Sequence, residues 1–201
     1  MARNIYGLDL GTYEIKVYDK KQDSTWKEKN VIAIVDGKEI LAVGDEAYAM
    51  FERTPGNIEV VFPMKEGVIS RFTDMQYLLQ NLLKKERRFA RGSEYLIAVP
   101  TDVTEVEKRA FFDLVVHSTA KAKEVSIVER GVAQCIGMGV DVRKTKGMLI
   151  ADFGAATTEL SVVGSGGMVL NKMLKIGGMT FDVAVQNMVR RNYDFLIGRQ
   201  T

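Results

Sequence analysis

Gly7-Leu8-Asp9-Leu10-Gly11-Thr12 and Ile150-Ala151-Asp152-Phe153-Gly154-Ala155-Ala156-Thr157 set the same device twice along the chain. In each, an apolar run ends on an Asp and a Gly follows two residues later. Outward from the first copy, Ile5 to Leu10 alternates toward Gly11 and Ile15-Lys16-Val17-Tyr18 resumes the alternation, which predicts a β-hairpin turning at Gly11-Thr12. Outward from the second, Met148 to Phe153, Thr158 to Val163 and Met168 to Ile176 predict three strands with Gly-rich turns. A helix from Thr180 to about Asn192 follows, carrying Phe181, Ala184, Met188 and Val189. The recurrence is an internal duplication, not a short solenoid period.

Between the copies, Val31 to Val35 and Ile40 to Val43 are apolar runs joined by Asp36-Gly37, a strong hairpin signal. Thr54-Pro55-Gly56-Asn57 breaks regular structure, and Phe62-Pro63 to Gly67-Val68-Ile69 returns toward the first sheet, so residues 29–72 read as an insertion. From Asp74 to Arg88, Met75, Leu78, Leu79, Leu82 and Leu83 recur at helical spacing, with Thr73 as the expected N-cap. Tyr95 to Val99 is an apolar strand ended by Pro100. Thr104 and Glu107 then stand at capping-box spacing ahead of a helix whose expected buried stripe is Val106, Ala110, Phe111 and Leu114. Val125 to Val128 reads as a strand, Val132 to Met138 as a short helix and Lys144-Thr145-Lys146 as a polar joint.

With 46% hydrophobic and 27% charged residues, the 201-residue chain has the composition of a folded globular protein. Its net charge of +2 lacks the excess of a dedicated nucleic-acid binder, so no nucleic-acid partner is expected. The single cysteine, Cys135, excludes an internal disulfide framework and a Cys-based metal site, and suits a buried position. No apolar stretch reaches the roughly 20 residues that cross a bilayer, and Met1-Ala2-Arg3-Asn4 leads straight into a strand, so the expected compartment is the cytoplasm. His117, the one histidine, has no second ligand near it in sequence and is assigned no role.

The chemistry of the repeated device follows from its two residue types. A Gly in a tight turn lets backbone N–H groups point at phosphate oxygens with no Cβ between, and an Asp at the strand end can bind a hydrated Mg²⁺. A single Asp-x-Gly is a common turn. Two in matching context can clamp one phosphate chain.

In order along the chain, the first turn, the Val-Glu run before a helix, Thr157-Thr158-Glu159 after the second turn, and Ile176-Gly177-Gly178 resemble the actin-like ATPases. Arg53-Thr54-Pro55-Gly56-Asn57-Ile58, Pro63 with Gly67-Val68-Ile69, Thr104-Glu105-Val106-Glu107-Lys108-Arg109 and Ile197-Gly198-Arg199 narrow the resemblance to the MreB bacterial actins. The resemblance spans essentially the whole chain. It implies an α/β actin-like ATPase fold of duplicated ribonuclease H-like domains, with the first domain and the start of the second present. Subdomain IA would be residues 1–28 and 73–144, IB the insertion 29–72, and residues 145–201 the N-terminal part of IIA, the family continuing beyond the position of Thr201. ATP and Mg²⁺ are the implied cofactors. Gly11, Thr12, Tyr13, Gly154, Ala155, Ala156, Thr157, Gly177 and Gly178 would hold the nucleotide, and Asp9 and Asp152 the metal. Filament assembly as a homo-oligomer and a role in cell shape are implied too. The basic run containing Arg87, Arg88 and Phe89 stands where MreB-like proteins carry a membrane-inserting loop, which implies weak membrane contact. A chaperone-type or sugar-kinase-type ATPase shares the fold and both turns, and a nucleotide-free scaffold co-assembling with an active paralogue is a third class.

Four departures from the family pattern stand at the cleft. Where the family ends a strand in two glutamates and a proline, the second glutamate orienting the attacking water, this chain has Glu129-Arg130-Gly131. Arg130 cannot accept a proton from water, and a register shift of one residue would make Glu129 the catalytic acid instead. Ala155 and Ala156 replace two glycines, which is expected to restrict positive φ and close phosphate approach. Glu14 adds a carboxylate near the phosphates, repulsive by Coulomb's law, and Met179 stands where the family has an acidic residue. Together the departures predict slow or absent hydrolysis.

Overall fold

A computed structural model describes residues 4–85, 92–119 and 121–199. Strands β1 (Ile5–Leu10), β2 (Glu14–Asp19) and β3 (Ser24–Lys29) form an antiparallel meander. Tyr6, Leu8 and Leu10 of β1 point into the core, which leaves Gly7 and Asp9 on the opposite face by the period-two rule of a strand. Strands β4 (Ile32–Val35) and β5 (Glu39–Val43), helix α1 (Asp45–Met50) and strand β6 (Ile58–Val61) then build a small sheet in the order β5-β4-β6. A short hairpin of β7 (Met64–Lys65) and β8 (Val68–Ile69) leads to α2 (Phe72–Lys85), β9 (Glu94–Val99), α3 (Glu105–Val116) and β10 (Glu124–Glu129). β9 pairs parallel with β1, and β10 parallel with β9, which completes a five-stranded sheet in the order β10-β9-β1-β2-β3.

Parallel neighbours need a long crossover, and α3 supplies it between β9 and β10. The main core lies between this sheet and helices α2 and α3, where Leu8, Leu10, Ile15 and Val17 meet Met75, Leu78, Leu79, Leu82, Phe111 and Leu114. Helix α4 (Arg130–Gly137) leaves the end of β10 and leads to a second, antiparallel sheet of β11 (Met148–Phe153), β12 (Thr158–Gly164) and β13 (Gly167–Leu174). Cys135 of α4 is fully buried there beside Val142, Ile150 and Val163. Helix α5 (Gly178–Tyr193) follows. Among the described residues, no helix is long and apolar enough to cross a membrane.

Several expectations are corrected. β3 was unforeseen because Ser24-Thr25-Trp26-Lys27-Glu28-Lys29 is polar, as suits a sheet edge that must resist pairing with another chain. Thr73 is not a cap: α2 starts at Phe72, and the Met75 N–H donates to the carbonyl of Arg71. The capping box at Thr104 and Glu107 forms as expected, but Val106 is 80% exposed. Phe111 and Leu114 are buried as expected and Val115 joins them, while Ala110 is half-buried. The basic run with Arg87, Arg88 and Phe89 lies outside the described residues.

Phe111, fully buried, and Val106, on the open surface, therefore separate cleanly in a denaturation experiment. Phe111→Ala is expected to cost about 3–5 kcal/mol. Val106→Ala should stay within about 0.5 kcal/mol of the parent.

Candidate functional site

The two Asp-x-Gly turns close in the same way. Leu10 with Ile15 is the last cross-strand pair of the first hairpin, and Phe153 with Thr158 the last of the second. In the first, the Gly11 N–H donates to the Glu14 carbonyl at 3.1 Å, and in the second the Gly154 N–H donates to the Thr157 carbonyl at 2.9 Å. A Cβ at Gly11 would lie 2.7 Å from the Glu14 oxygen, and one at Gly154 3.0 Å from that of Thr157. Close approach, not left-handed backbone, is what keeps both positions glycine. None of Gly11, Gly154, Ala155 and Ala156 has positive φ, so the expected backbone restriction at the two alanines does not arise. Only their methyl groups distinguish this turn from an all-glycine one.

Both turns open onto one cavity of about 480 Å³. Asp9, Gly11, Thr12 and Tyr13 line it from the first hairpin, and Asp152, Gly154, Ala155, Ala156 and Thr157 from the second. Glu129 does not line it. That residue ends β10 and stands at the N-cap of α4, and Arg130, one position on, turns into the cavity. Gly177 and Gly178 do not line it either, because they pack behind the second turn. The Gly178 N–H donates to the Gly154 carbonyl at 3.0 Å and the Met179 N–H to the Ala155 carbonyl at 2.8 Å. These leading N–H groups of α5 are thus directed at the turn.

Three lining residues escaped the sequence reading as site residues, Lys16, Gly67 and Gln134, and so did Glu159, which is not in the lining. Hairpin register could have found Lys16, since Asp9 pairs with Lys16 across β1 and β2 as Asp152 pairs with Glu159 across β11 and β12. The Lys16 Nζ lies 3.0 Å from Asp9 Oδ2. Helical spacing could have found Gln134, four residues after Arg130 and so on the same face of α4. Its Nε2 donates to Asp152 Oδ2 at 2.7 Å. Gly67 had no local signal. Its N–H donates to Thr12 Oγ1 at 3.1 Å, a contact between residues 55 apart in sequence.

Arg130 dominates the electrostatics. Its side chain is 12% exposed, with one terminal nitrogen 3.5 Å from Asp9 Oδ1 and the other 3.7 Å from Glu159 Oε2. Glu159 is only 3% exposed, and its Oε1 accepts from Asn171 Nδ2 at 2.8 Å and from the Thr101 N–H at 3.3 Å. Asp9 Oδ1, Arg130 Nε and Glu159 Oε2 are buried atoms with no hydrogen bond of their own. The Glu14 carboxylate, expected to repel an anion, is paired with Lys29 at 3.3 Å and Lys27 at 3.6 Å. Those ammonium groups oppose its charge. Beside Gly67, the hydrogen bond from Lys175 at 2.6 Å, and then its charge, holds the Glu66 carboxyl below its ordinary value.

Met179 faces a neighbouring cavity of about 270 Å³, walled by Tyr13, Tyr48, Phe51 and Phe62. Tyr13 and Tyr48 meet edge to face at 5.4 Å, and Lys29 Nζ sits 4.2 Å above the Tyr13 ring. Burial, and then a hydrogen bond with Tyr13, pushes the Tyr48 phenol up to about 12, so it remains neutral at physiological pH.

The duplicated hairpins facing one cavity across a connecting helix agree with the protein family described as MreB/Mbl protein, which matches residues 3–201. The chain belongs to this family. Cell shape-determining protein MreB of Escherichia coli (strain K12) is 39% identical over 209 residues, covering 100% of this chain and 60% of that relative. Cell shape-determining protein Mbl of Bacillus subtilis (strain 168) is 33% identical over 203 residues, with the same coverage. Among solved structures, MreB5 of Spiroplasma citri bound to ADP superposes with a TM-score of 0.91 at 30% identity, covering 100% of this chain and 60% of that one. The MamK double helical filament shares the fold, with a TM-score of 0.80 at 19% identity over 99% of this chain and 62% of that one. This MreB/Mbl chain thus has the actin-like α/β fold and spans 60% of the length of these curated relatives.

The packing behind the second turn makes a sharp distinction between adjacent glycines. A Cβ at Gly177 would stand 2.6 Å from the Gly154 oxygen and 2.7 Å from that of Ala155, whereas one at Gly178 would reach only ordinary contact at 3.9 Å. Gly177→Ala is expected to cost about 1–3 kcal/mol, read from the denaturation midpoint. Gly178→Ala, at the first position of a helix, should be neutral or slightly stabilising.

Proposed function

We propose that this MreB/Mbl chain binds the phosphates of a nucleoside di- or triphosphate, ATP foremost, between its two hairpin turns. In this reading it self-assembles into filaments at the cytoplasmic membrane and helps set cell shape, with ATP hydrolysis slow or absent. The observation that carries the reading is the single cavity lined by both Asp-x-Gly turns. Its volume falls within the ordinary range for small-molecule sites. Lys16 and Arg130 bring positive charge to it, in a form that charge-assisted hydrogen bonds to phosphate oxygens can use. Support also comes from relatives: structures of MreB5 of Spiroplasma citri are described as bound to ADP and to AMPPNP. Subdomain IA would comprise residues 1–28 and 73–144, IB residues 29–72, and IIA would begin at residue 145.

ATP would supply the phosphoanhydride and the charge that the turns recognise. What this chain's residues do is hold and orient it: the turns at Gly11 and Gly154 flank the phosphates, and Lys16 and Arg130 answer their charge. For in-line attack a water needs a group that accepts its proton. Arg130, with donors only, cannot serve. The cavity carboxylates are engaged elsewhere: Asp9 with Lys16, Asp152 with Gln134, and Glu14 with two lysines. Mg²⁺ at Asp9 does not fit the residues as placed, because both oxygens of that carboxylate already face cations.

Phosphate release measured beside pelleting of filaments with AMPPNP tests this. Filaments are expected with release at background, and Arg130→Glu should raise release by at least about tenfold. Rapid turnover by the parent would sink the slow-hydrolysis reading, and filaments equally abundant without nucleotide would favour the nucleotide-free scaffold. For membrane contact through Arg87, Arg88 and Phe89, co-sedimentation with anionic liposomes is the measure. An Arg88→Ala, Phe89→Ala variant should lose most of the binding, and equal binding would remove this segment from the reading.

A further inference from the structure

We infer that the Arg130 guanidinium takes the electrostatic place of a divalent metal in this cleft, so that the phosphates of a nucleoside di- or triphosphate bind without magnesium. The inference rests on the nucleotide reading above and specifies how that site handles charge. A magnesium ion demands near-octahedral oxygen ligands at about 2.0–2.1 Å. Asp9 cannot offer one freely: Oδ2 is 3.0 Å from Lys16 Nζ, and buried Oδ1 faces Arg130 at 3.5 Å. A dication there would sit within a few ångströms of two like charges. On the opposite wall, Asp152 Oδ2 accepts from Gln134 at 2.7 Å. Among the described residues, no group of three or more His, Cys, Asp or Glu side chains is placed to hold a metal ion.

The arginine is built in. Arg130 opens α4, and buried Gly131 and Cys135 anchor another face of that helix. Its charge reaches Asp9 in the first hairpin and Glu159 in the second, so one guanidinium spans the line on which the two turns converge. Glu159 is a buried carboxylate whose Oε2 has no hydrogen bond, and its cost of burial is offset chiefly by this partner. Arg130 lines the cavity, and its guanidinium carries N–H donors in a planar fork that matches phosphate oxygens. A lysine could supply the charge but not the fork.

Calorimetric titration of the purified chain with AMPPNP, in magnesium and in excess EDTA, tests this without any variant. The two dissociation constants are expected to agree within tenfold, about 1.4 kcal/mol. Arg130→Gln should bind at least about tenfold more weakly in EDTA and recover with magnesium, while Arg130→Lys should stay metal-independent with weaker binding. Parent binding weakened tenfold or more by EDTA overturns the inference and leaves the nucleotide reading standing. So does an Arg130→Gln variant that folds and binds in EDTA as well as the parent. No binding under either condition overturns both, and the parent comparison holds whether or not the variants fold.

Discussion

Helix α4 lies so close to β12 that Gly131 has no room for a side chain: a Cβ there would meet Ser161 Oγ at 2.6 Å and Ser161 Cβ at 2.7 Å. The two halves of the molecule meet at this contact, since α4 begins where β10 ends and leads to β11. Side chains four apart share a helix face. Burying Gly131 and Cys135 against the second sheet therefore turns Arg130 and Gln134 toward the cavity, where each reaches an Asp of one hairpin. A bulkier residue at position 131 would push α4 off β12 and move both polar side chains with it.

The cleft holds several acidic side chains, yet each is answered. Lys16 and Arg130 share Asp9, Gln134 holds Asp152, two lysines flank Glu14, and Glu159 is gripped by Arg130, Asn171 and the Thr101 N–H. Burying charge costs free energy unless the charge is paired. The pairings keep the site foldable while leaving a few atoms, Asp9 Oδ1 and Arg130 Nε among them, unpartnered at the cavity.

Around α5 the packing is different. Its apolar residues repeat at helical spacing, yet none is buried, and Phe181 and Met188 are 57% and 52% exposed. The helix is tied to the second turn at its start, Gln186 in its middle donates from Nε2 to the Ile197 carbonyl, and beyond its end the Arg199 N–H donates to Glu52.

By itself, the sequence determined the paired hairpins, the α/β class and the family, because alternation, turn glycines and a capping box are local signals set by the geometry of single elements. It also showed Arg130, Ala155, Ala156, Glu14 and Met179 as departures from the family pattern, since a residue type can be read without coordinates. Tertiary structure decided the rest. Polar β3 is a strand only because β2 offers it a partner, and Val106 is exposed although it sits at the helical spacing of buried Phe111 and Leu114. Gly177 serves the second turn by packing behind it, which no local pattern encodes. The meeting of Arg130 with Asp9 and Glu159 joins residues from three distant stretches, and only the docking of α4 on β12 brings their charges within reach of one another.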